Sequence, residues 1–192
     1  MRLKVSVFVL LGVLALAGCS GKGEESNAKA PVAAPTVVAP SSAGMSYDAT
    51  LSEGVQLGAK PGYPKFIKSV SGVSGYEPPN GCWTDGKTAV FTFVSPLPNS
   101  FKLHLEVSGV FGPNLGKPVE VTVGDWKGEF TDKNPGPQSF DLDVKTSQPA
   151  ESITLTIPEP TSPKELKMSA DPRLLGIFLK KLSIEEVSNA QE

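Results

Sequence analysis

From Tyr47 onward the chain alternates between apolar and polar residues. Phe101-Lys102-Leu103-His104-Leu105-Glu106-Val107 places an apolar side chain at every second position. Val119-Glu120-Val121-Thr122-Val123, Phe140-Asp141-Leu142-Asp143-Val144 and Ile153-Thr154-Leu155-Thr156-Ile157 repeat the pattern. Ala89-Val90-Phe91-Thr92-Phe93 adds a further segment, with Phe91 and Phe93 on one side. Successive side chains of a strand point to opposite faces, so a period of two predicts strands with one buried and one wet face. Their β-branched and aromatic content agrees. The last segment, Leu175 to Ile184, breaks parity: Ile177 and Leu179 share one, Leu182 and Ile184 the other. Either one extra residue at Lys180 or Lys181 forms a β-bulge that returns all four to one face, or the first half of the strand is covered on both faces.

Turn chemistry separates these segments. Ser95-Pro96-Leu97-Pro98-Asn99, Phe111-Gly112-Pro113-Asn114-Leu115-Gly116, Asn134-Pro135-Gly136-Pro137 and Pro158-Glu159-Pro160-Thr161-Ser162-Pro163 are loops, and Val123-Gly124-Asp125 is a tight turn into Trp126. Proline gives a ladder no donor, so no strand crosses these loops. Many short strands at such intervals predict an all-β, antiparallel sandwich or barrel. A helical turn is allowed over Ser162 to Met168; beyond the first residues the chain holds no long amphipathic helix.

The N-terminus differs. Arg2 and Lys4 precede an apolar run from Val5 to Leu16, which ends in Leu16-Ala17-Gly18-Cys19. A basic start, a short apolar stretch and small residues make a secretory signal peptide. With its terminal cysteine the segment resembles the bacterial lipobox. That resemblance implies a diacylglyceryl group on the Cys19 thiol and cleavage just before it. The alternatives are an ordinary signal peptide with a chance cysteine, or a transmembrane helix; a span needs about 20 apolar residues, more than this run supplies. The expected organisation is a signal peptide over 1–18, a lipidated Cys19 with a disordered Pro/Ala/Ser-rich linker over 19–46, and a β-sandwich over 47–188. In the linker, Ala30-Pro31-Val32-Ala33-Ala34-Pro35 has no hydrophobic period and too little bulk to bury, and proline stiffens it into an extended spacer. Ser20 after the cysteine resembles the pattern of lipoproteins sent to the outer membrane. The expected location is the cell envelope, lipid-anchored and facing the periplasm.

Charge narrows the partners. The 192 residues carry 18 basic and 20 acidic side chains, and removing 1–18 takes away Arg2 and Lys4, leaving 16 against 20, a net charge of −4. No basic excess exists to release counterions from a nucleic acid, so none is expected as a partner. Membrane attachment must come from the acyl chains. If Cys19 is lipidated, Cys82 has no partner in the chain. It is then a buried thiol, a reactive thiol or an intermolecular bridge, and stability must come from an apolar core.

No catalytic set emerges. His104 is the single histidine and lies on the polar side of its strand, a solvated position. No second histidine makes a Ser/His or Cys/His pair, no spacing suits zinc, and no glycine-rich phosphate loop precedes a helix. No metal or cofactor is expected. Asp141 and Asp143 share a wet face, where paired carboxylates most often solubilise an edge. Gly81-Cys82-Trp83-Thr84-Asp85-Gly86-Lys87 carries an aromatic beside a carboxylate in a loop before a strand. Such a pair can hold a sugar, the ring on the pyranose face and the carboxylate accepting from hydroxyls; a core tryptophan before a turn is the alternative. Asp171-Pro172-Arg173 either pins a loop through a local ion pair or offers bidentate donors to a ligand. Asn114 suits a turn through its tolerance of positive φ, and Trp126 is either an exposed binding aromatic or a core residue at a strand end.

Taken in order, Phe66-Ile67-Lys68-Ser69-Val70-Ser71-Gly72-Val73-Ser74-Gly75-Tyr76-Glu77, Trp83-Thr84-Asp85-Gly86, Phe111-Gly112-Pro113-Asn114, Ser162-Pro163-Lys164-Glu165-Leu166 and Asp171-Pro172-Arg173-Leu174-Leu175-Gly176-Ile177 resemble an extracytoplasmic β-sandwich module. That module is attached to some bacterial membrane phosphoglycerol transferases and envelope glycosyltransferases, where it accompanies the catalyst. The resemblance spans about residues 64 to 186 and implies a jelly-roll-like, non-catalytic domain similar to carbohydrate-binding modules. Its implied ligand is a periplasmic glucan or cell-surface saccharide, held by Trp83, Asp85, Asn114, Asp171 and Arg173. A partner envelope enzyme that modifies glycans is the other implication. The chain departs from the family pattern at Asn80-Gly81-Cys82-Trp83, where Trp-Gly-Arg-Trp is usual: one aromatic and one arginine are missing, and Cys82 stands where a guanidinium would.

Overall fold

The computed structural model describes residues 46–57, 62–75, 77 and 81–187; the expected signal peptide, Cys19 and nearly all of the expected linker lie outside them. Twelve strands run through the described residues: β1 (Ser46–Tyr47), β2 (Val55–Gln56), β3 (Tyr63–Pro64), β4 (Ile67–Ser71), β5 (Cys82–Asp85), β6 (Thr88–Phe93), β7 (Ser100–Val110), β8 (Pro118–Val123), β9 (Trp126–Thr131), β10 (Gln138–Lys145), β11 (Ser152–Thr156) and β12 (Leu175–Glu186). A single 3-10 turn spans Gly112–Asn114. Apart from the parallel pair β1–β3, every pairing is antiparallel. One five-stranded sheet runs β10-β7-β12-β2, with β5 also on β12; the other runs β4-β6-β11-β8-β9. Most neighbours are not consecutive in the chain, so the polypeptide crosses repeatedly between sheets. The protein is an all-β, jelly-roll-like antiparallel sandwich.

The core is what the alternation predicts. β7 buries Phe101, Leu103, Leu105 and Val107, while Lys102, His104 and Glu106 point away from the core. Phe91 and Phe93 of β6, Val121 and Val123 of β8, and Ile153 and Leu155 of β11 meet them from the opposite sheet. Each fully buried side chain of this size contributes about 1.5–3 kcal/mol, and with no disulfide among the described residues this term carries the fold.

β12 settles the two alternatives left by its parity. Leu179 pairs with Val107 and Lys181 with Glu106, so Lys180 is the extra residue of a bulge. Ile177, Leu179, Leu182 and Ile184 accordingly all face the core, none more than 2% exposed. A second register shift, between Phe178 and Leu179, places Gly109 opposite Phe178.

Two strands escape the alternation. Cys82–Asp85, expected as a loop, is β5, paired to β12 through Cys82–Leu179 and Trp83–Phe178. Trp126–Thr131, where the sequence predicts only a turn leading into Trp126, is β9, a hairpin partner of β8. Trp126 is part-buried and packs against the core. At Ser162 to Met168 the chain forms hydrogen-bonded turns, with the Leu166 N–H donating to Ser162 O at 3.2 Å and the Lys167 N–H to Lys164 O at 3.0 Å. Among the described residues no helix is long and apolar enough to cross a membrane.

Candidate functional site

Strand alternation decides what β5 offers. Cys82 and Thr84 point inward, 4% and 0% exposed, while Trp83 and Asp85 point to the outer face of their sheet. Gly81 makes this possible. It has φ +143°, and a Cβ there would come within 2.0 Å of Leu179 O, so only glycine lets the chain enter β5 this close to β12. Cys82 therefore does not stand at a ligand surface in place of a guanidinium. Its Sγ–H points to Leu57 O at 3.8 Å, and burial pushes the thiol up to about 11. The thiolate is the reactive form, so at pH 8 only about one molecule in a thousand carries it. A disulfide-exchange reagent at pH 8 is expected to label the folded chain at least ~100-fold more slowly than the unfolded one; equal rates would show that Cys82 is exposed.

On the outer face, Trp83 stacks on Phe178 with ring centroids 4.7 Å apart and planes 21° from parallel. The edge of Phe111 meets it at 5.9 Å and 81°. All three residues remain part-exposed. Offset-stacked and edge-on pairs of this kind each contribute about 0.5–1.5 kcal/mol beyond burial, so the indole is held in one orientation. Phe178 and Phe111 carry no binding signal in the sequence, though the parity of Phe178, opposite to that of Ile177 and Leu179, places it on the outer face.

A polar network runs from the backbone of Trp83 to Asp171. The Trp83 N–H donates to Ser74 Oγ at 3.0 Å, and Ser74 Oγ–H donates to Glu77 Oε1 at 3.2 Å. Arg173 Nη1 donates to the same Glu77 oxygen at 2.5 Å. Its Nε and Nη2 reach the Asp171 carboxylate at 3.0–3.1 Å and 2.7 Å. Hydrogen bonds from Arg173 hold the Asp171 carboxyl below the usual carboxylate range, and both carboxylates push the guanidinium up. Asp85 anchors the other end of this loop, accepting from the Leu174 N–H at 2.9 Å. The structure thus gathers Trp83, Asp85, Asp171 and Arg173 around the junction of β5 with the start of β12. Ser74 and Glu77, which join them, carry no distinguishing pattern in sequence.

Asn114 does not belong with them. It is 1% exposed, and its amide is consumed within the fold. Nδ2 donates to Phe111 O and to Glu159 O, and Oδ1 accepts from the Glu159 N–H, each at 2.9 Å. The expected ligand contact is corrected to a clamp between two loops, since a buried amide with three internal bonds has nothing to offer a ligand.

Together the sandwich and its aromatic-bearing outer sheet define an all-β domain with a ready-made surface. Residues 45–186 match the family described as "Domain of unknown function (DUF7024)", and the chain belongs to that family. No curated protein matches it in sequence. Among solved structures it is similar to a mutant family 29 carbohydrate-binding module complexed with mannohexaose, at 14% identity and TM-score 0.45, covering 69% of this chain and 88% of that one. It is also similar to a second mutant of that module complexed with cellulohexaose, at 16% identity and TM-score 0.43, covering 68% and 87%. At that identity and superposition, the similarity carries no ligand over to this chain.

Proposed function

We propose that this domain is a non-catalytic saccharide-binding module of the bacterial cell envelope, held at a membrane by a lipid on Cys19. The observation that supports it is Trp83: a part-exposed indole on the outer face of a sheet, fixed by two aromatic neighbours, with charged groups beside it. An indole face covers the apolar C–H face of a pyranose, and carboxylates beside it accept from the hydroxyls. Asp85 keeps a carboxylate oxygen beyond its bond to Leu174, and Arg173 and Asp171 are pre-organised by each other. A sugar lacking the matching hydroxyls would leave such groups unpaired, which is where discrimination between saccharides arises. The proposed ligand is a periplasmic glucan or a related surface saccharide. Calorimetric titration of the purified chain with such glucans is expected to show binding; heat-silent titrations across the panel would overturn the proposal.

The anchor has its own test. Cells fed labelled palmitate are expected to incorporate label into the wild-type chain and none into Cys19→Ser, which stays unprocessed. Label retained by the variant would overturn the lipid anchor.

A further inference from the structure

On the same outer face, further down β12, lies a second concavity. A groove of about 270 Å³ is lined by Ser52, Lys102, His104, Asp141, Ser183, Ile184 and Glu185. The register explains its contents: Ser183 of β12 pairs with His104 of β7, and His104 pairs with Asp141 of β10. The far wall is the loop before β2. Thr50 and Glu53 cap each other there, with N–H to Oε2 at 2.7 Å and N–H to Oγ1 at 3.2 Å. Gly54, at φ +74°, lets this loop close on β12, since a Cβ would stand 2.2 Å from Leu182 O. The loop wall of the groove is therefore set by the backbone.

Ser183 brings a hydroxyl to the groove. The residue is only 6% exposed and lines the concavity. A hydroxyl open to the groove can both donate to and accept from a ligand hydroxyl. The surrounding polar and charged groups are already paired: His104 Nδ1 with Asp141 at 2.5 Å, Lys102 with Asp143 at 2.9 Å, and Lys180 with Glu106 at 3.6 Å further along the face. Lys181, opposite Glu106, and Glu185 add one charge of each sign, so neither sign dominates this face. The paired carboxylates still have free lone pairs for hydroxyl donors, which suits an uncharged polyol.

Ser183 lies five positions along β12 from Phe178, which stacks on Trp83. At about 3.3 Å per residue the two sites stand roughly 15 Å apart, beyond the reach of one monosaccharide. From this geometry we infer that the groove is a second saccharide subsite, and that the ligand is an uncharged, extended oligosaccharide laid along β12 from Trp83 across Lys180 and Glu106 to Ser183. The inference rests on the saccharide reading of Trp83.

Amide and indole NMR spectra of the purified chain, titrated with uncharged glucose hexasaccharides of β-1,2, β-1,3 and β-1,4 linkage and with the matching disaccharides, test it. Hexasaccharides are expected to shift the Trp83 indole N–H together with the Ser183 and His104 amides, whereas a disaccharide shifts one group only. Ser183→Tyr, which fills the groove, is expected to weaken hexasaccharide binding about tenfold and leave disaccharide binding at Trp83 unchanged; His104→Gln, on the wet face and harmless to the core, is expected to weaken it in the same direction. Raising salt to ~300 mM is expected to leave the affinity within about twofold, as for an uncharged ligand. Hexasaccharides that shift Trp83 alone would overturn the second subsite and leave the Trp83 reading standing. Silence at both sites would overturn both, and strong salt dependence would overturn the uncharged ligand.

Discussion

Trp83→Ala is expected to lower saccharide affinity at least thirtyfold while the domain stays folded. Aromatic residues at the centre of an interface commonly account for about 2 kcal/mol or more of binding, and 1.4 kcal/mol is a factor of ten. Trp83 offers a sugar an aromatic face, whereas the polar groups beside it are partly committed to each other. The substitution also removes the contacts to Phe178 and Phe111. The stability cost is about 2–3 kcal/mol, below that of truncating a fully buried aromatic. Trp83→Phe separates the two effects: it keeps a ring for Phe178 to stack on, so it should recover most of the stability and only part of the affinity. Titration well below the unfolding transition, with circular dichroism confirming the fold, measures both. A Trp83→Ala chain that is folded and binds as tightly as wild type would remove the indole from the site.

How much of this fold is legible in the sequence depends on which residues stand at the inward positions. Strands β7, β8, β10 and β11 are legible because their inward positions hold Leu, Ile, Val and Phe and their outward ones hold charges or hydroxyls. The bulge in β12 is legible because four apolar residues with conflicting parity admit few solutions. β5 is not legible, because one of its two inward residues is Thr84. Its hydroxyl is buried without cost by accepting from the Ile177 N–H at 3.0 Å, and a satisfied buried threonine looks polar in a sequence. β9 is hidden by Gly128, at a position where a side chain is needed to show the period. Trp126 folds over it so closely that a Cβ on Gly128 would lie 2.4 Å from the indole.

The site itself divides in the same way. Trp83, Asp85, Asp171 and Arg173 stand out by residue type and prove to be neighbours, although 86 positions separate Asp85 from Asp171. What joins them, Ser74 and Glu77, depends on the chain after β4 bridging back to β5, Val73 to Thr84 and Glu77 to Gly81, which no local pattern reports. His104 is legible as an outward residue of β7. The groove around it is not, because its walls come from β7, β10, β12 and the loop before β2.

Asn114→Ala is expected to cost about 2 kcal/mol of stability and to leave saccharide affinity intact. The asparagine is 1% exposed and satisfies both the N–H and the C=O of Glu159, as well as Phe111 O. Alanine leaves the Glu159 N–H without its partner, at about 1–3 kcal/mol, while Glu159 O keeps the Thr161 hydroxyl at 2.9 Å. For a domain of this size the unfolding temperature should fall by about 6 °C. Asn114→Asp probes the same bonds from the other side. Its carboxylate can still accept from the Glu159 N–H, but it sets negative charge against the two carbonyls that Nδ2 now serves, so it should destabilise at least as much as alanine. The affinity of whatever fraction stays folded distinguishes the roles. A ligand contact would lose binding at unchanged stability, and a clamp loses stability at unchanged binding. The first outcome would return Asn114 to the binding surface and overturn its assignment as the bond between these two loops.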